Sequence, residues 1–128
     1  GKFTITSKPK QVFSRIHIDD IAGAIIFLIH AANDGNKPKI INISDNQPTS
    51  NVQVLEYAST LLNTSLPEVE LFEKAANKMS PMALSFWQEN RRVSNQLLCK
   101  ELGYKLIHPD FKSGLKDCFN NSYKNQIK

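Results

Sequence analysis

Between Ile21 and Ala32 the sequence places Ile21, Ala22, Ala24, Ile25, Ile26, Phe27, Leu28 and Ile29 within nine consecutive positions. On a helix these side chains go most of the way round, so the segment predicts a helix buried on several sides rather than a surface helix with one apolar stripe. Asp19 or Asp20 is the expected N-cap, and Asp34-Gly35 the exit. The following Lys39–Ile43 stretch is short and β-branched and predicts a strand. A buried helix feeding a near-continuous apolar strand is the local grammar of an α/β unit. The nine-residue run contains Gly23 and is too short to span a bilayer, so the chain is read as cytoplasmic with no membrane partner.

The rest of the chain fits the same class. Phe3–Thr6 and Phe13–Ile18 read as short strands around a turn containing Pro9. Ser50 opens a second helix, with Gln53 completing a capping box and Val54, Leu55, Ala58, Leu61 and Leu62 forming its apolar stripe. Val69–Phe72 alternates like an edge strand, and Pro81 starts a short helix through Phe86 and Trp87. Arg91–Val93 predicts a strand, Asn95–Leu102 a helix closed by Gly103, and Tyr104–His108 an extended segment. The last helix runs from about Phe111, with Leu115, Cys118, Phe119 and Tyr123 on one face. No repeat or low-complexity linker interrupts the 128 residues, so residues 1–128 are taken as a single domain of α/β class, or α+β as an isolated piece.

Much catalytic chemistry is excluded. The five glycines, at 1, 23, 35, 103 and 114, are too dispersed for a phosphate-cradling loop. Neither Tyr57, Tyr104 nor Tyr123 is followed four residues later by lysine, and no Gly-x-Ser-x-Gly motif occurs. His17 with Asp19 and Asp20 is the only cluster with metal-like chemistry, and alone it gives no metal site. Cys99 and Cys118 fall at apolar helix positions and read as buried free thiols. The net charge of +4 is concentrated toward the two ends. The tail lysines are scattered and lack an aromatic platform, so a solvated basic face is expected and no nucleic acid partner.

Phe13-Ser-Arg-Ile-His-Ile-Asp-Asp-Ile-Ala22 running into an apolar helix resembles a segment of the extended short-chain dehydrogenase/reductases, the NAD-dependent epimerase/dehydratase family. Ile40–Ile43 is similar to that family's late sheet strand and Ser50–Leu62 to the helix after it. Asn90-Arg-Arg-Val-Ser-Asn95 and Glu101-Leu-Gly-Tyr104 resemble its C-terminal pattern. The resemblance implies the C-terminal, substrate-side portion of a Rossmann-type oxidoreductase. The family's Gly-rich loop and Tyr-x-x-x-Lys pair, which support hydride transfer to or from NAD(P), belong to an N-terminal dinucleotide-binding part that this sequence lacks. The absence of an initiator methionine is compatible with an expressed fragment.

On this reading the chain carries no catalytic residue and binds no cofactor alone, NAD(P) being implied only for the intact family member. Arg91, Arg92, Arg15, His17 and Phe86 are the candidates for contact with a small-molecule substrate. One of Arg91 and Arg92 would grip an anionic group bidentately, the alternative being that both are solvated edge charges. His17 would shape the pocket; otherwise it bonds to backbone or carboxylate beside a helix cap. Phe86, with Trp87, would line the pocket or pack in the core. Nucleotide-sugar members place an arginine shortly before the Ile-His pair, where this chain has Phe13, with Arg15 on the alternate face; that favours a less characterised branch. Exposed elements would pair with the missing N-terminal part or make a homo-oligomer. The rival reading is a free-standing binding or assembly module.

Overall fold

The computed structural model describes residues 4–33, 35 and 40–123. It is mixed α/β. In chain order the elements are β1 (Thr4–Ser7), α1 (Ile18–Asn33), α2 (Asn51–Leu62), β2 (Glu68–Leu71), α3 (Phe72–Ala75), α4 (Pro81–Gln88) and α5 (Phe111–Cys118). Wide helical turns occupy Leu97–Glu101 and Phe119–Tyr123. The chain separates into two compact units, each discontinuous in sequence: one runs through Phe13 and resumes at Thr49–Arg92, the other comprises Ser14–Pro48 and Val93 onward.

In the first unit β1 and β2 pair in parallel, in the register Thr4↔Glu68 to Ser7↔Leu71. Parallel strands need a crossover, and α2 lies on it. The local signals for α2 are present in full: Ser50 Oγ accepts the Gln53 N–H, and the Gln53 side chain accepts the Ser50 N–H. Asn63 ends the helix in the left-handed conformation at φ 53°. Pro81 begins α4 behind the cap Ser80, whose Oγ accepts the Ala83 N–H. Ile5 and Ala75 are buried here, beside an aromatic group in which Phe13 stacks on Phe86 at 5.3 Å and meets Trp87 edge-on at 6.1 Å. Gln11, only 2 % exposed, donates through Nε2 to the carbonyls of Trp87 (2.7 Å) and Glu89.

The second unit packs Ala24, Leu98 and Tyr104 together, with Phe27, Leu28, Ile41, Ile43, Cys99 and Leu106 around them. Gly23 matters to this core. A Cβ there would lie 2.5 Å from the Tyr104 hydroxyl, so only glycine lets that ring approach α1. Gly103 takes φ +86°, which closes the wide turn before Tyr104.

Several expectations need correction. Phe13–Ile18 is not a strand: Phe13 makes one antiparallel bridge with Thr49, and the chain enters α1 at Ile18. The backbone groups here have scattered partners, such as the Asp45 N–H on the Arg15 carbonyl (2.7 Å), so no ladder forms. Asp19 and Asp20 lie inside the first turn of α1, not at its N-cap. Ile40–Ile43 and Arg91–Val93 are likewise irregular. Val93 donates its N–H to Ser14 Oγ (2.8 Å), a side chain rather than a neighbouring strand. Cys118 is exposed and Cys99 half-buried; both are free. Phe3, Asp34, Lys39 and the Tyr123 side chain, which figured in the expected elements, lie outside the described residues.

The largest departure concerns α1. Asp20, Ala24, Phe27 and Leu28 form the stripe that faces the core. Ile18, Ile21, Ile25, Ile26 and Ile29 form a second stripe, and all five are exposed, from 39 % at Ile21 to 71 % at Ile18. The helix is apolar all round, as the sequence shows, yet only one stripe is covered.

Candidate functional site

The His-Ile-Asp-Asp motif divides its labour in the fold. Asp20 turns inward and is fully buried. Its Oδ1 accepts the Tyr104 hydroxyl (2.8 Å) and the Ile107 N–H (2.8 Å), and its Oδ2 accepts the His108 N–H (2.9 Å). Three donors on one carboxylate tie α1 to the segment leading into α5. Burial, reinforced by the hydrogen bond to Asp20, pushes the Tyr104 hydroxyl up to about 12.

His17 and Asp19 point to a second group. The His17 side chain is 8 % exposed, and its Nδ1 accepts the Asp19 N–H at 3.0 Å. That leaves the ring proton on Nε2, which faces Asp117 Oδ2 at 3.3 Å and Cys118 Sγ at 3.5 Å. The ring lies against α5 at Gly114, where a Cβ would approach its Cδ2 to 3.2 Å. The His108 ring sits 4.1 Å away, centroid to centroid. Its Nδ1 pairs with Ser113 Oγ (2.8 Å), and its Nε2 faces Asp19 Oδ2 (3.8 Å) and Asp117 Oδ2 (3.9 Å). One ligand atom each from His17, Asp19, His108 and Asp117 falls within 4.8 Å of the others.

The remaining candidates are placed as follows. Arg15 is half-buried beside Asp45; burial lowers its guanidinium from the ordinary value, opposed by the Asp45 charge. Asp45 is raised by burial, against the Gln47 N–H it accepts at 2.9 Å and the Arg15 charge. In the other unit Arg91 is exposed and reaches Glu89 Oε1 at 3.4 Å, and Arg92 is also exposed. Neither arginine lies in a strand. Phe86 is 58 % exposed, stacked on Phe13 and edge-on to Trp87. The five candidates thus divide between the units, Arg15 and His17 in one, Arg91, Arg92 and Phe86 in the other. Sequence reasoning missed His108 and Asp117, which stand about 90 and 100 residues from His17; the cap at Asp110 was the nearest local signal, since it fixes where α5 begins.

These elements define a piece of a Rossmann-like α/β architecture. No protein-family model and no curated protein matches the sequence. Among solved structures, the chain is similar to a functionally unknown conserved protein from Silicibacter pomeroyi DSS, with a TM-score of 0.83 and 35% identity, over 94% of this chain and 41% of that one. It also superimposes on the human epimerase family protein SDR39U1 (isoform 2), solved with NADPH, with a TM-score of 0.71 and 19% identity, over 92% of this chain and 39% of that one. The chain therefore shares its fold with part of each neighbour, and it spans about two-fifths of the length of each. No helix among the described residues is long and apolar enough to cross a membrane.

Proposed function

We propose that the chain is the C-terminal, substrate-side portion of an NAD(P)-dependent epimerase/dehydratase-like oxidoreductase and is inactive alone. The observation that carries this is the second stripe of α1. Five isoleucines, at 18, 21, 25, 26 and 29, lie exposed along one face of a single helix, and a contiguous exposed apolar patch marks a contact surface. A helix with two apolar stripes fits a position between two layers, and the remaining three-fifths of the structural neighbours supplies a candidate second layer. The NADPH in the human neighbour supports NAD(P) as the cofactor of the intact protein.

Among the described residues, the longer helices offer no N-terminus that fits the cofactor. Pyrophosphate binds where a helix N-terminus offers free N–H groups behind a glycine-rich turn. Here α1 begins with two carboxylates, α2 is closed by its own capping box, and α4 and α5 are capped by Ser80 and Asp110. The cofactor therefore belongs to the missing portion, and this chain contributes shape and charge toward a small-molecule substrate. Its candidate contacts are Arg15 and His17 in one unit and, separately, Phe86, Arg91 and Arg92 in the other. Two unpaired thiols fit a reducing compartment, the cytoplasm.

Calorimetry of the 128-residue chain with NADPH tests the assignment. The expected result is no saturable heat in the micromolar range; micromolar affinity overturns it. Light scattering is expected to show association of the isolated chain through the isoleucine stripe, abolished by Ile25→Asp with Ile29→Asp. A monodisperse wild-type monomer at high concentration favours the free-standing module instead. An in-frame Gly-rich loop and Tyr-x-x-x-Lys in the coding sequence upstream would establish the class.

A further inference from the structure

We propose that His108, Asp19 and Asp117 bind a divalent first-row transition-metal ion, with His17 positioning Asp117. The inference rests on the second unit alone and is independent of the oxidoreductase reading. The sequence places only His17, Asp19 and Asp20 together; the fold withdraws Asp20 into its own hydrogen bonds and adds two ligands from the far end of the chain.

The distances argue for a cation. His108 Nε2 stands 3.8 Å from Asp19 Oδ2 and 3.9 Å from Asp117 Oδ2. Both gaps are too long for a hydrogen bond, yet the three groups converge. Nδ1 pairs with Ser113 Oγ, which leaves Nε2 as the ring atom that faces the two carboxylates; with the proton on Nδ1, the Nε2 lone pair is free to bind a metal. An imidazole nitrogen and two carboxylate oxygens, converging from α1, α5 and the segment between the Leu97–Glu101 turn and α5, have the arrangement of ligands around a metal. Metal–N and metal–O distances are about 2.0–2.2 Å, so neighbouring ligand atoms should stand roughly 3–3.5 Å apart. Closing by about half an ångström requires only side-chain rotation, and Asp19, whose side chain is 54 % exposed, can supply it.

The surroundings have the expected outer shell. A metal-bound imidazole donates its other N–H to a fixed acceptor, and a metal-bound carboxylate is itself hydrogen-bonded. Ser113 Oγ is placed to do the first for His108, and His17 Nε2, 3.3 Å from Asp117 Oδ2, stands where it can do the second. His17 is not itself a ligand in this tautomer, because its Nδ1 already accepts the Asp19 N–H and the proton sits on Nε2. Gly114 permits the close approach of the His17 ring to α5. One nitrogen and two oxygens with open positions suit zinc, cobalt or manganese; calcium requires six to eight oxygens.

The test is titration of the chelator-treated chain with Zn²⁺ by calorimetry and with Co²⁺ by visible absorption. One saturable site is expected. His108→Gln and Asp117→Asn should each weaken it at least tenfold, and Ser113→Ala about 10–100-fold through the outer shell. His17→Gln should weaken affinity while the cobalt spectrum of the loaded form is kept, since the ligand set is unchanged. His30→Ala, at an exposed histidine elsewhere on α1, should leave affinity within twofold. Circular dichroism of each variant separates ligand loss from unfolding, and Zn²⁺ should raise the wild-type melting temperature but not that of His108→Gln. No saturable binding of either ion, or binding that a folded His108→Gln leaves within twofold, overturns the proposal. A cobalt spectrum altered by His17→Gln as by His108→Gln overturns the positioning role.

Discussion

Gln11 in the first unit and Asp20 in the second are both buried polar side chains, and the two are satisfied differently. Asp20 offers two oxygens to three donors, and all three bonds measure 2.8–2.9 Å. Gln11 gives its Nε2 to two carbonyls, while its Oε1 is buried with no hydrogen-bond partner among the described residues. The difference follows from chemistry. A carboxylate only accepts and suits a place where backbone N–H groups converge; an amide must satisfy a donor and an acceptor at once. The lesson is that burial alone does not measure what a polar residue contributes to a fold.

That contrast can be broken by substitution. Asp20→Ala strands the Ile107 and His108 N–H groups, at about 1–3 kcal/mol each, so a loss of about 2–6 kcal/mol is expected in urea melts. Gln11→Ala also removes two hydrogen bonds, but it deletes the orphaned oxygen with them. The two terms oppose, and a loss of about 0–2 kcal/mol is expected. Equal losses at the two positions would show that satisfaction does not distinguish them.

A pH profile sharpens the same point. With the Tyr104 hydroxyl raised to about 12 against an ordinary value near 10, the folded chain keeps a proton that the unfolded chain sheds. This contribution is fully present below about pH 10 and is lost as pH rises through about 12. Urea melts from pH 9 to 12 should show the decline, and Tyr104→Phe should flatten it. The smallest effect is expected at Arg91, whose pair with Glu89 is exposed at both ends; Arg91→Ala should change stability by about 0–0.5 kcal/mol.

Features whose cause is local were legible in the sequence. The Ser50–Gln53 box and Pro81 at the first turn of α4 act within four residues and formed as read. Strand expectations fared less well, because a strand depends on a partner that may be far along the chain. Of Val69–Phe72, the residues through Leu71 paired with β1, whereas Phe13–Ile18 and Arg91–Val93 formed no ladder. The same logic explains the site. His17 and Asp19 were visible as a pair, but nothing near position 108 or 117 announces that those side chains come to meet them. The all-round apolar character of α1 was also legible; which stripe this chain covers was not.

The interleaving of the two units bears on how the chain is made. β1 finds its partner only when Glu68–Leu71 has emerged, across a loop of roughly sixty residues whose closure entropy grows only slowly with length. The second unit waits longer, since Asp20 receives no donor until Tyr104–His108 is synthesised. At about 5–20 residues per second that interval is on the order of ten seconds. During it the stripe of α1 that will meet Leu98 and Tyr104 stays in water, its Asp20 carboxylate hydrated rather than held by three donors. Nascent chains of this design should therefore depend on chaperone cover during translation, whatever the stability of the finished fold.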